Sequence, residues 1–169
     1  MNHIFFIVDT SGSMVDDYSK IGQINDLLRD TITTCIERKV SDIKVITYSD
    51  DARIYWNFTG NEIFYDIPDE NFVGRSNLGK AYELLKSVIV NDKLFLEDCI
   101  IILISDGEAT DNYKKKLELL DKNKTACRIA ISIGNNYDTT EKHASNNNLM
   151  FKKGIDDRDN LLDRIIDLI

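Results

Sequence analysis

The chain has little proline, little cysteine and almost no histidine, and each shortage removes a class of explanation. One proline, Pro68, in 169 residues and the absence of Gly/Ser-rich tracts leave no linker composition at which to divide it. Its three cysteines, Cys35, Cys99 and Cys127, stand far apart without Cys-x-x-Cys spacing. They read as buried apolar thiols within predicted helices or strands, and not as a disulfide framework or thiolate metal site. The two histidines, His3 and His143, have no ligand residues near them in sequence, so an imidazole-bound zinc centre has no support. No apolar stretch approaches the length of a membrane span, and no leader precedes the first apolar run at Ile4. The expectation is a cytoplasmic protein. Basic residues are outnumbered, 21 Lys and Arg against 29 Asp and Glu, for a net charge of −8. That balance argues against a nucleic acid or an anionic membrane as the main partner, since both require a basic footprint. The one basic run, Lys114 to Lys116, falls in a predicted helix and reads as a solvated face.

What is present suits one globular domain over residues 1–169: 43% hydrophobic and 30% charged residues exclude a disordered chain. Apolar strands alternate with amphipathic helices. The strands are read at Ile4–Val8, Ile43–Tyr48, Arg53–Phe58, Ile100–Ser105, Ala126–Ile133 and Leu149–Lys152. Ser49-Asp50-Asp51 is a compact turn that makes the second and third strands a hairpin. Helical spacing recurs at Ile21 to Ile36, Leu78 to Ile89, around Leu117 and Leu120, over Asp138–Asn146, and at Leu161 to Ile169. Residues 60–73, with Pro68, read as an irregular excursion. Alternation of this kind implies an α/β fold with a largely parallel sheet covered on both faces.

The residues that carry chemistry lie where these elements end. Asp9-Thr10-Ser11-Gly12-Ser13 follows the first apolar run and delivers a carboxylate and two hydroxyls into a turn. Hard divalent cations such as Mg²⁺ take oxygen ligands and need several from a compact loop. An ordinary strand-to-helix turn has the same composition, so the pentapeptide alone leaves both readings open. Two further segments add oxygens: Ile100 to Ser105 runs into Asp106-Gly107-Glu108, and Gly74-Arg75-Ser76-Asn77 opens a helix.

This three-part constellation resembles the von Willebrand factor A family, whose metal-ion-dependent adhesion site combines an Asp-x-Ser-x-Ser loop with a distant Thr and a distant Asp. The resemblance extends over essentially the whole chain. It implies a doubly wound, mostly parallel six-stranded sheet with one antiparallel edge strand and helices on both faces. It also implies that Ser11 and Ser13 ligate Mg²⁺ or Mn²⁺ directly, with Asp9 and Asp106 holding it chiefly through waters. Ser76 stands where the family usually has Thr, which keeps the hydroxyl and loses a methyl. Arg75 stands where a Gly is frequent. Within the family the Asp-Thr-Ser-Gly-Ser-Met and Ile-Ser-Asp-Gly-Glu segments look most like bacterial stand-alone members related to the tellurium-resistance protein TerY, which are associated with stress response.

The function implied is binding without catalysis, by a monomer. Neutral hydroxyl ligands leave a cation under-neutralised, so a carboxylate from a protein partner can complete its shell, with Arg75 and Glu108 flanking the contact. The alternative is a Mg²⁺-dependent phosphatase or other hydrolase using Asp9. Haloacid-dehalogenase-like enzymes, however, carry a second Asp two residues after the nucleophile, where this chain has Ser11. A nucleotide-binding module would need glycine-rich phosphate loops of a kind the chain lacks.

Overall fold

The computed structural model describes residues 3–15, 18–121, 127–133, 137–145, 147–152 and 158–168. Continuous apolar runs become the central strands because a strand covered on both faces has no polar side. β1 (His3–Asp9) and β4 (Cys99–Ser105) are buried along almost their whole length. β2 (Asp42–Tyr48), β3 (Ala52–Phe58), β5 (Cys127–Ser132) and β6 (Met150–Phe151) complete one sheet in the order β3-β2-β1-β4-β5-β6. All neighbours are parallel except β2 and β3, whose hairpin makes β3 the antiparallel edge. The sheet is thus the six-stranded, doubly wound α/β arrangement expected from the sequence.

Helices cover both faces. Along β1, Ile4, Phe6 and Val8 point to one side, where they pack with Ile24, Leu28 and Ile32 of α1 (Tyr18–Glu37) and with Leu161 and Ile165 of α5 (Arg158–Leu168). Phe5 and Ile7 point to the other side, against Ala81, Tyr82 and Leu85 of α2 (Leu78–Asn91) and Leu117 of α3 (Tyr113–Asp121). This is the period-2 alternation of a strand feeding two cores. Among the described residues, no helix is long and apolar enough to cross a membrane.

The excursion at residues 60–73 is irregular, as read, apart from a short 3₁₀ turn at Asp69–Asn71. Side chains hold it to the body. Asn25 of α1 donates to the Ile67 carbonyl and accepts the Ile67 N–H, and the Trp56 indole donates to the Ile63 carbonyl.

The carboxy-terminal third departs from expectation in detail. The strand expected at Ala126–Ile133 runs from Cys127 to Ser132, with Ala126 outside the described residues. The helix expected to reach Asn146 is α4 (Asp138–His143). It stops because the next residues serve the sheet: Ser145 donates its N–H to the Arg128 carbonyl and accepts the Arg128 N–H on its hydroxyl. The last strand, expected over Leu149–Lys152, is reduced to Met150–Phe151. Cys35 and Cys99 are buried free thiols, whereas Cys127 is only half-buried.

His143 ends α4 fully buried, its ring parallel to Tyr82 at 5.8 Å, with the Tyr82 hydroxyl 2.7 Å from Nδ1 and the Ile101 carbonyl 3.4 Å from Nε2. Burial pushes its pKa down to about 3, and the nearby Arg128 adds to the effect. The unfolded chain takes up this proton near pH 6.5, so between those values the unfolded state binds more protons than the folded one. Stability is therefore lost as pH falls below about 6.5, at up to about 1.4 kcal/mol per pH unit from this residue. Replacing His143 with Asn is expected to flatten that part of the acid limb. Denaturant midpoints of both proteins between neutral and mildly acidic pH check this, and parallel curves would refute it.

Candidate metal centre

The strand order reverses between β1 and β4, and the carboxyl ends of those two neighbours carry Asp9 and Asp106. Crevices at such reversals are where open α/β sheets bind ligands. Three loops converge there. The first leaves β1 as a 3₁₀ turn, Gly12–Val15, anchored by the fully buried Met14. The second is the segment before α2 that bears Ser76. The third follows β4.

Asp9 is the hub. It is fully buried, its Oδ1 accepts the Ser11 N–H at 2.9 Å, and its Oδ2 accepts three hydroxyls: Ser76 at 2.8 Å, Tyr48 at 3.0 Å and Ser105 at 3.0 Å. Burial pushes its carboxyl above the usual range and repulsion from Asp106 adds to this, while hydrogen bonds from Ser11 and Ser76 pull the other way. The Tyr48 phenol is raised well above its ordinary value by burial and by the facing Asp9 charge. Among the described residues neither Asp9 nor Asp106 enters an ion pair, so two neighbouring carboxylates are balanced only by hydroxyl and amide dipoles.

The other expected ligand residues gather around this hub. Ser11 and Ser13 hydroxyls lie 3.1 Å apart. Ser76, buried, meets Asp9 directly. Asp106, nearly buried, accepts the Glu108 N–H on Oδ1 at 3.1 Å. Backbone bonds fasten the loops to one another: Gly12 N–H to the Gly74 carbonyl at 3.0 Å, and Thr110 N–H to the Ser76 carbonyl at 2.7 Å. Arg75 and Glu108 are both exposed on this end of the sheet, beside Ser76 and Asp106 respectively. Asp111, farther along the third loop, accepts the Gly79 N–H in the first turn of α2 at 2.8 Å. Asp16 and Asp17, which follow the first loop in sequence, lie outside the described residues.

Sequence reasoning overlooked Tyr48, Ser105 and Thr110 as parts of the site. Ser105 left a signal, a hydroxyl closing an otherwise unbroken apolar strand. Tyr48 left a weaker one, a polar-tipped aromatic at the carboxyl end of β2.

The donor set suits a hard divalent cation. It is all oxygen, two carboxylates and three hydroxyls, compact and preorganised by bonds between loops. It is not a carboxylate cage: no group of three or more His, Cys, Asp or Glu placed to hold a metal occurs among the described residues.

Known proteins give the same picture of the fold. Solved structures similar to this one include proximal thread matrix protein 1 from the mussel byssus with a zinc-occupied MIDAS motif, at TM-score 0.77 and 19% identity over 99% of this chain and 48% of that one. The ArnB paralog VWA2 from Sulfolobus acidocaldarius follows at TM-score 0.65 and 20% identity, covering 95% of this chain and 44% of that one. An aerotolerance-related membrane protein from Bacteroides fragilis, crystallised with multiple mutations to serine, has TM-score 0.66 and 13% identity over 99% of this chain and all of that one. The chain spans about half the length of the mussel protein. No curated protein sequence matches it. The von Willebrand factor type A domain model matches residues 4–108, a span that takes in all but the first residue of β1, β2 through β4, the first two loops just described and the start of the third with Asp106. The chain therefore belongs to the von Willebrand factor type A domain family.

Proposed function

We propose that the chain is a divalent-metal-dependent protein-binding module in which Asp9, Ser11, Ser13, Ser76 and Asp106 hold Mg²⁺ or Mn²⁺. The observation that carries this reading is the pair of neighbouring carboxylates, Asp9 and Asp106, surrounded by hydroxyls and without a protein cation among the described residues. A bound cation supplies an electrophilic point to which an acidic side chain of a partner can attach. The chain's own residues supply the rest. The hydroxyls of Ser11, Ser13 and Ser76 orient oxygen without cancelling the cation's charge. Asp9 and Asp106 anchor it from the buried side. Exposed Arg75 and Glu108 border the approach, Arg75 as a donor to the incoming carboxylate. The zinc-occupied motif of the mussel protein supports a divalent metal at this position of the fold.

Two features weigh against Asp9 as a hydrolytic nucleophile. It is fully buried, and its Oδ2 already accepts three hydrogen bonds. An attacking oxygen must reach its target with a free lone pair. The resemblance to TerY-related proteins extends the proposal to a cytoplasmic role in bacterial stress response, for which tellurite sensitivity of a deletion strain is the test.

Partner capture on the immobilised chain is expected to require Mg²⁺ or Mn²⁺, to vanish with excess chelator and to fall strongly in Ser13→Ala. Arg75→Ala is expected to cost about 1 to 3 kcal/mol of affinity, the range for a hydrogen bond to a charged group. Undiminished capture in chelator would overturn the metal bridge. Phosphatase turnover with Mg²⁺, abolished in Asp9→Ala, would restore the hydrolase reading.

A further inference from the structure

We infer that Asp50, in the turn between β2 and β3, is the positioning residue of this centre: it latches the Gly74–Arg75–Ser76 segment so that the Ser76 hydroxyl faces Asp9. The inference rests on the metal-binding reading above and names the residue that positions Ser76 within it. Asp50 lies outside the family's ligand motif, and among the described residues its side chain makes no hydrogen bond to the expected ligands. Its grip is on the residues to either side of one of them.

On one side of Ser76, the Arg75 N–H donates to Asp50 Oδ1 at 3.2 Å. On the other, the Asn77 side-chain amide donates to the Asp50 carbonyl at 3.0 Å, and the Asn77 N–H to the neighbouring Ser49 carbonyl at 3.0 Å. The carbonyl of Ser76 itself is occupied by Thr110, through N–H at 2.7 Å and hydroxyl at 3.1 Å. With the backbone fixed before, at and after Ser76, little freedom beyond the side-chain torsion remains, and the hydroxyl settles on Asp9 at 2.8 Å.

Gly74 shows how closely the latch fits. Its φ is +89°, a conformation that side-chain-bearing residues rarely adopt. The Asp50 carboxylate also lies against its Cα, so that a Cβ there would fall 2.9 Å from Asp50 Cγ and nearer still to Oδ2. The Gly74 carbonyl in turn accepts the N–H of Gly12, the residue between the two ligand serines. Asp50 thus reaches two of the three loops, Ser76 through Arg75 and the Ser11–Ser13 turn through Gly74. Its carboxylate makes no ion pair among the described residues, so the role rests on accepting a hydrogen bond and filling the space over Gly74, and does not require charge.

The test is calorimetric titration of the full chain with Mn²⁺, for wild type, Asp50→Ala, Asp50→Asn, Gly74→Ala and the Asp50→Ala/Gly74→Ala double variant. Melting of each protein without metal is measured alongside. Asp50→Ala is expected to weaken Mn²⁺ binding about tenfold, in line with loss of one hydrogen bond and of the contact over Gly74. Asp50→Asn is expected to bind within about twofold of wild type, because its amide oxygen still accepts the Arg75 N–H. Gly74→Ala is expected to bind at least as weakly as Asp50→Ala. In the double variant the two losses should be non-additive, since both break one contact. Wild-type affinity in Asp50→Ala overturns the inference alone. So does a loss that Asp50→Asn fails to restore and that follows an equal loss of metal-free stability. Absence of Mn²⁺ binding by the wild-type chain overturns the metal reading and this inference with it.

Discussion

Mg²⁺ or Mn²⁺ is expected to raise the melting temperature of the wild-type chain, and Asp9→Ala is expected to erase that rise. A ligand that binds only the folded state stabilises it by mass action, about 2.7 kcal/mol when free metal stands at a hundredfold excess over its dissociation constant. For a domain of this size that corresponds to a shift of roughly 5 to 10 °C. Asp9 is the residue on which the centre turns, because its carboxylate takes the Ser11 N–H on one oxygen and the hydroxyls of Ser76, Ser105 and Tyr48 on the other. Its removal takes away an anchoring charge and frees the Ser76 hydroxyl from its acceptor. Without metal the substitution has two opposed effects: the abandoned donors lose a charged acceptor, and the buried repulsion with Asp106 disappears. Asp9→Asn keeps much of the hydrogen-bonding shape without the charge and serves as the control for folding. Thermal melts of the three proteins over a metal titration decide the matter. A metal-dependent shift in Asp9→Ala equal to that of the wild type would remove Asp9 from the centre.

Phe6→Ala is expected to cost about 3 to 5 kcal/mol of stability, a large share of what a domain possesses. Phe6 sits at the middle of β1, the strand flanked by β2 and β4, and is fully covered by the α1/α5 core. Truncation there removes apolar contact and leaves a cavity that rigid sheet neighbours cannot close. The same substitution lies in the strand that ends in Asp9 but removes none of the hydrogen bonds that hold Asp9, Ser76 and Asp106. Below its lowered melting temperature the variant is therefore expected to keep its metal affinity, in contrast to Asp9→Ala. Denaturant titration measures the first quantity and calorimetry the second. A loss below about 1 kcal/mol would mean that the core around β1 repacks freely, against the buried geometry described here.

Which parts of this molecule could be read from its residues follows from how local each determinant is. β1 and β4 were legible because burial on both faces leaves an unbroken apolar run, and α1 and α2 because one covered face imposes helical spacing. β6 and α4 were legible only in outline, since two residues of strand and six of helix carry too little pattern to mark their ends. Strand order was beyond local reading altogether. His3–Val8 pairs with Cys99–Ile104, and nothing within either segment names the other. The candidate site divides along the same line. Asp9, Ser11, Ser13, Ser76 and Asp106 stand in motifs at element ends and could be picked out one by one. Tyr48, Ser105 and Asp50 earn their places through neighbours that the topology brings together, and so escaped notice.

The hydrogen bond from Ser105 to Asp9 joins residues 96 apart in sequence, and the bonds from Tyr48 and Ser76 close separations of 39 and 67. Loops so long are closed at an entropic cost that only completed β-pairing repays, and contacts of this range form late. During synthesis or refolding the carboxylate of Asp9 is therefore without its full set of hydrogen-bond donors until β4 docks beside β1. If the proposed centre binds its metal, uptake is expected to report finished topology: a chain arrested before residue 106 carries the Asp-x-Ser-x-Ser loop but neither Ser105 with Asp106 beside it nor the completed β1–β4 pairing.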